Sequence, residues 1–281
     1  MRRTRGFTLV ELVIVIVLVG IVGAIVSMQL RPALASYLAV GRRANLADQA
    51  DGALRRLVAD ARAAVPNSLR LLTDCNGVEM VPTSDGGRLR TLPDVDRSGS
   101  VPFDPAKPAV AFDVLSQLPA TAPGDWIVMA NQSAADVYGT ANSAQIDTLA
   151  ASPDPALGVS RMSLKSAMTL PGGYNGGRFV VVPNAQLGVS YVCANPGVAN
   201  GSGTGVLLRV SGYPFRGRPA ATCPDLTNAP VVASKVAACT FIYRENENAT
   251  QQSGYVQLTV DLADGGERTT LTMGAHVENV P

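Results

Sequence analysis

The chain has 281 residues, 47% of them hydrophobic and 16% charged, with a net charge of +1. That balance supplies no global field to recruit nucleic acid or acidic substrates, so nucleic acid is not an expected partner. The four cysteines (Cys75, Cys193, Cys223 and Cys239) form no Cys-x-x-Cys pair and the one histidine is His276, which leaves zinc, thioredoxin-type and histidine-dependent nucleophilic chemistry poorly supplied. No catalytic residue, cofactor or metal is expected.

Arg2, Arg3 and Arg5 precede an apolar run from Phe7 to Met28 whose only charge is Glu11. As a helix at about 1.5 Å per residue the run is roughly 33 Å long, a full hydrocarbon crossing. The flanking arginines hold the N-terminus in the cytoplasm, which places the rest of the chain outside. Two plain alternatives are a cleaved secretory signal, for which Ala33-Leu34-Ala35 offers a small-residue site, and an ordinary signal anchor. The run exceeds the apolar core of a normal signal. Neither alternative accounts for Glu11, because a carboxylate inside an apolar span is costly and usually has a partner or a function.

Arg5-Gly6-Phe7-Thr8-Leu9-Val10-Glu11 resembles the processing site of type IV prepilins and type II secretion pseudopilins. The resemblance implies that a prepilin peptidase cuts after Gly6 and that Phe7 becomes the N-methylated first residue. Gly20 falls where that family tends to carry a glycine. It also implies as partners other pilin subunits, through the N-terminal helix, and an inner-membrane assembly platform. The expected organisation is a leader at 1–6, a transmembrane and assembly helix at 7–30, a periplasmic amphipathic helix at 31–65 and a β-rich head at 66–281. Physically, cleavage creates a cationic amine at Phe7. That amine can meet Glu11 of its own helix, four residues on, or neutralise the Glu11 of a neighbouring subunit, since an unpaired charge is heavily penalised in low dielectric. The plainer reading of Glu11 is a side chain reaching back to the cytoplasmic interface.

Pro32 removes a backbone donor and predicts a kink near the outer interface. Beyond it Leu46, Ala50, Leu54, Leu57, Val58, Ala61 and Val65 recur at three- and four-residue steps, one apolar face of an amphipathic helix. Arg55, Arg56, Asp60 and Arg62 are expected on the other side. Pro66-Asn67-Ser68 ends the pattern. One long helix, 7–65, is therefore expected to link membrane and head.

After Ser68 the period becomes strand-like. Expected strands are 69–73, 78–82, 126–130, 178–182, 190–194, 205–210 and 240–244. A closing hairpin pairs Val256, Leu258, Val260 and Leu262 with Thr269, Leu271, Met273, Ala275 and Val277 around Asp264-Gly265-Gly266-Glu267. Loops are expected over 82–108 and 195–222. The fold class is α+β, a long N-terminal helix packed on an antiparallel sheet.

Ala64-Val65-Pro66-Asn67-Ser68-Leu69-Arg70, Cys75 to Pro82, Gly124-Asp125-Trp126-Ile127-Val128, Cys239 to Tyr243 and His276 to Pro281 together resemble a minor pilin of the mannose-sensitive haemagglutinin pilus type. This implies a low-abundance subunit that initiates or caps a pilus. Its location is the inner membrane, single-pass with a periplasmic head, with passage into an extracellular pilus. The alternatives are a minor pseudopilin of type II secretion and a pilin head with adhesive loops. Asp94-Val95-Asp96-Arg97-Ser98-Gly99-Ser100 opens like a calcium loop, but Pro105 stands where the bidentate glutamate belongs, which favours a polar turn. Asn200 to Gly205 lacks the lysine of a phosphate cradle. His276 is expected opposite Met273, Ala275 and Val277. An even cysteine count outside the cytoplasm predicts disulfides, with Cys193–Cys223 the preferred pair; buried free thiols are the alternative.

Overall fold

In the computed structural model the structure describes residue 6 and residues 8–140, 142–170, 177–245 and 253–279. Helix α1 (Leu9–Arg62) runs without interruption through Pro32. Its first half is exposed and apolar. Its second half buries Leu46, Ala50, Ala53, Leu54, Leu57, Val58 and Ala61, the stripe that the three- and four-residue spacing predicted. The helix stops at Arg62, short of the expected residue 65, because the backbone after it is taken by the sheet. Ala64 bridges Pro82, and the Val65 amide donates to the Val81 carbonyl at 2.7 Å. Asn67 then adopts φ +60°, a conformation asparagine tolerates better than most residues. Its side-chain amide donates to the carbonyls of Asn131 and Asn279, which ties the helix end to both halves of the head.

The first half of the head is a seven-stranded antiparallel sheet. In spatial order it contains β1 (Arg70–Leu71), β2 (Gly77–Met80), β9 (Gly188–Ala194), β12 (Gly205–Tyr213), β13 (Val231–Arg244), β14 (Ser253–Asp264) and β15 (Glu267–Glu278). The closing hairpin is as expected, with β14 and β15 in unbroken register from Ser253–Glu278 to Asp264–Glu267. Val256, Leu258, Val260 and Leu262 are buried against the stripe of α1, with Ala275 and Val277 beside them. One helix face and one sheet face thus close a single core.

The second half was largely absent from the sequence reading. Strands β3 (Asp85–Arg88), β8 (Arg178–Val182), β5 (Trp126–Val128), β6 (Ser143–Ala151), β7 (Ser160–Met168) and β4 (Ala109–Val114) form a six-stranded antiparallel sheet in that order. Its two edges meet. Leu89 bridges Val114, the Arg90 amide donates to the Asp113 carbonyl at 2.9 Å, and the Leu115 amide to the Arg88 carbonyl at 2.8 Å. The sheet is therefore a small closed barrel, which removes free edges. Phe112 packs edge-on against Phe103 and Phe179 inside it, at centroid separations of 5.7 and 5.9 Å. A third cluster, which includes Val65, Val81, Val128, Tyr138 and Phe215, joins barrel to sheet. Tyr138 comes from the short helix α2 (Ala134–Tyr138).

Three expectations need correction. The span 82–108 contains β3 and the closing pairs of the barrel. The span 195–222 contains a small hairpin of β10 (Val198–Ala199) and β11 (Ser202–Gly203) in addition to β12. Asp60 does not face outward with Arg55 and Arg56. It accepts from the Tyr191 hydroxyl and from Arg209 Nε, both at 2.7 Å.

Candidate processing and assembly site

The site begins at residue 6. Gly6 is exposed, and a Cβ placed on it would meet nothing within 4 Å. Phe7 and Arg2, Arg3 and Arg5 lie outside the described residues. Thr8 caps α1 with extended backbone, and its hydroxyl accepts from the Glu11 amide at 3.3 Å. The Glu11 carboxylate reaches back to the Thr8 amide and hydroxyl, each at 3.0 Å. This is a reciprocal capping box, which satisfies two of the donors orphaned at a helix start. The Thr-x-x-Glu spacing carried that signal in the sequence. Glu11 thus has an occupation inside its own chain that the sequence reading did not give it.

From Leu9 to Val40 no residue of α1 is buried, and its large apolar side chains stand about half exposed or more. Gly20 and Gly23 meet no neighbour. The described residues contain one helix long and apolar enough to cross a membrane, and it is this one. Such a surface is unstable in water, so it belongs in lipid or against other helices.

The four cysteines pair as Cys75–Cys223 and Cys193–Cys239. The expected Cys193–Cys223 bridge is wrong, and the reason lies in the path of the chain. After β12 the segment leading to Cys223 crosses to the turn between β1 and β2. There the Thr73 amide donates to the Ala221 carbonyl, and Asp74 accepts from the Cys223 amide. Arg70 draws the same segment in through the carbonyls of Arg218 and Pro219. Arg70 also pairs at 2.6 Å with Glu79, which is fully buried, and lies 3.4 Å above the Tyr138 ring. Nothing in residue spacing announced that ionic cluster. Asp74, Cys75 and Cys223 lie close together, but both sulfurs are disulfide-bonded and offer no thiolate.

The remaining candidates lie apart from this site. Asp94 accepts from the amides of Asp96 and Arg97 at 3.1 and 3.0 Å, and lies 3.5 Å from Arg90, as a polar turn does. His276 is exposed beside the Tyr255 ring, on the face opposite Ala275 and Val277. The Asn200–Gly205 stretch holds the β10–β11 turn at Asn200-Gly201, then β11 and the first residue of β12.

Residues 1–27 match the family model for the prokaryotic N-terminal methylation motif. No curated protein and no solved structure matches the chain. The motif and the exposed apolar helix together support a type IV pilin- or pseudopilin-like subunit with a prepilin N-terminus. They fit a chain anchored in a membrane by a single helix.

Proposed function

We propose that this chain is a minor type IV pilin subunit of the mannose-sensitive haemagglutinin type, acting at the initiation or tip complex of the pilus. In this reading residues 1–6 are a leader removed by prepilin peptidase after Gly6, and Phe7 carries the N-methyl group. Residues 7–30 span the inner membrane with the N-terminus inside, residues 31–65 continue into the periplasm, and residues 66–281 form the head. The observation that carries it is a division within one helix: α1 matches the methylation motif over its exposed apolar half and is the core helix of the head over its other half. A helix built that way holds its head at a set distance from an apolar environment and leaves the exposed half to pack against other subunits.

Glu11 is the register device in this proposal. In the uncut chain it closes the capping box. After cleavage the amine of an incoming subunit is a stronger partner than a neutral hydroxyl, because a charge-assisted bond outweighs a neutral one. The barrel supports a tip position, since it makes the head bulky for a shaft repeat. The experiment is mass spectrometry of the N-terminus from membranes and from sheared filaments. A methylated Phe7 in both fractions is expected. A mature start at Ser36, after Ala33-Leu34-Ala35, or an intact leader in the filament fraction, sinks the proposal.

A further inference from the structure

The two sheets treat their edges differently. The barrel closes on itself, and β1, at one end of the seven-stranded sheet, is only two residues long. At the other end lies β15, twelve residues in unbroken register with β14 and with no strand beyond it. Gly265 and Gly266, at φ +56° and +85°, form the two-residue turn that closes a hairpin on the hydrogen-bonded pair Asp264–Glu267. Hydrogen-bonded and non-hydrogen-bonded pairs alternate from there. Arg268, Thr270, Thr272, Gly274 and His276 therefore turn their backbone N–H and C=O away from β14. The hydroxyls of the facing Thr259 and Thr272 meet at 2.8 Å, the close side-chain approach of a non-hydrogen-bonded pair. Among the described residues no backbone bond runs from that outer edge to another segment.

Proteins ordinarily blunt an edge of this length with lysine, proline or a bulge. β15 has none of these. From Thr269 to Val277 it reads Thr-Thr-Leu-Thr-Met-Gly-Ala-His-Val, without proline or a formal charge. The charges at its start are committed, Glu267 to Arg43 and Arg268 to Asp261. The flanking side chains narrow the partner. On the helix side Leu271 and Met273 are only partly buried where they pack against the core. A strand beside them completes their cover if every second residue is apolar or β-branched. On the other side Thr270, Thr272 and His276 are exposed and suit neutral polar neighbours. Direction narrows it further. α1 and β15 run the same way, because Arg43 meets Glu267 at the start and the Asn67 amide donates to Asn279 just past the end. Two copies joined antiparallel through β15 would point their apolar helix halves in opposite directions, which one membrane does not permit.

We propose that the outer edge of β15 is a docking surface for an extended strand of a different protein chain, added antiparallel as an eighth strand. That strand is uncharged over its centre and apolar or β-branched at every second residue. The inference concerns the head and stands whether or not Phe7 is the mature N-terminus. The test uses the full chain in lipid nanodiscs and calorimetry with a peptide copying residues 255–262, Tyr-Val-Gln-Leu-Thr-Val-Asp-Leu. Saturable one-to-one binding is expected, since β14 is already an antiparallel complement of β15. Two further peptides carry backbone N-methyl groups, one on the odd-numbered and one on the even-numbered residues. One of them should lose about tenfold or more in affinity and the other should bind as the plain peptide does, because only alternate amides of a strand face its neighbour. Thr272→Pro removes one outward N–H and leaves the bonds to β14 in place, a substitution that edge strands admit. It should weaken the plain peptide about tenfold. Should that variant melt below the parent, the two methylated peptides decide the matter on the parent alone. Four results each overturn the proposal: no saturable binding by the parent, equal loss with both methylated peptides, parental affinity in a Thr272→Pro chain that melts with the parent, or a parent dimer in sedimentation that the peptide dissociates. The last would make a second copy the occupant.

Discussion

Glu11 is the residue at which local structure and assembly compete. Thr8 already satisfies it within the helix, so substitution removes a cap as well as a charge. A cap of this kind contributes about 1 kcal/mol, which a long apolar helix in lipid tolerates. Glu11→Ala is therefore expected to insert in membranes as the parent does, and to be lost from sheared filaments. Recovery from filaments at parental levels would return Glu11 to a purely local cap. A second prediction concerns tyrosines. Burial, followed by the neighbouring Glu79 charge, pushes the Tyr138 and Tyr213 hydroxyls well up. Burial and the bond to Asp60 do the same for Tyr191. Their folded values lie above the unfolded value of about 10. They contribute stability that is complete below that pH and is lost as pH rises beyond it. Ultraviolet titration should therefore show these phenols ionising only together with unfolding. Ionisation of every tyrosine near pH 10 with near-UV dichroism intact would contradict their burial.

At the scale of elements, α1 is two helices in energetic terms. Leu57 is fully buried against the sheet, whereas Leu18 is 55% exposed and touches no part of the head. Leu57→Ala removes buried methyls and leaves a cavity, at a cost of about 2–5 kcal/mol. Leu18→Ala should leave the head's denaturation midpoint unchanged. Chemical denaturation of the two variants in the same nanodisc preparation separates the halves, and equal shifts would show that the division is wrong. The strands were unequally legible. β14 and β15 alternate cleanly because one face meets the helix and the other meets water. β6 and β7, with Ser-Ala-Gln-Ile-Asp-Thr and Met-Ser-Leu-Lys-Ser, mix small and polar residues on both faces. Their outward positions meet water and their inward ones need only fill a narrow barrel, so the alternation is diluted.

For the whole molecule, the two disulfides close loops of 148 and 46 residues. Chain entropy sets an upper bound of roughly 5 and 4 kcal/mol on what they contribute, mostly by restricting the unfolded chain. Because Cys75–Cys223 pins the segment that leaves β12, its loss falls on the side of the sheet next to the barrel. Cys75→Ser with Cys223→Ser should lower the unfolding midpoint and make residues 214–222 the first site of limited proteolysis. A midpoint within experimental error of the parent, with unchanged cleavage, would show that the Cys75–Cys223 bridge does not hold this segment.

The sequence by itself determined the membrane-length apolar run, Glu11 in register behind Gly6, the buried stripe of α1 and the closing hairpin. Each of these is local: it depends on a repeat within one continuous segment or on a single tight turn, so it is visible before any folding. Only the tertiary structure decided the disulfide partners, the pairing of Asp60 with Tyr191 and Arg209, the burial of Glu79 beneath Arg70 and the closed barrel. Cys75 and Cys223, Asp60 and Arg209, and Leu89 and Val114 meet because separate elements and loops of the chain become neighbours in the fold. Pairing of that kind is selected by the collective burial of two cores, and no spacing along the chain encodes it.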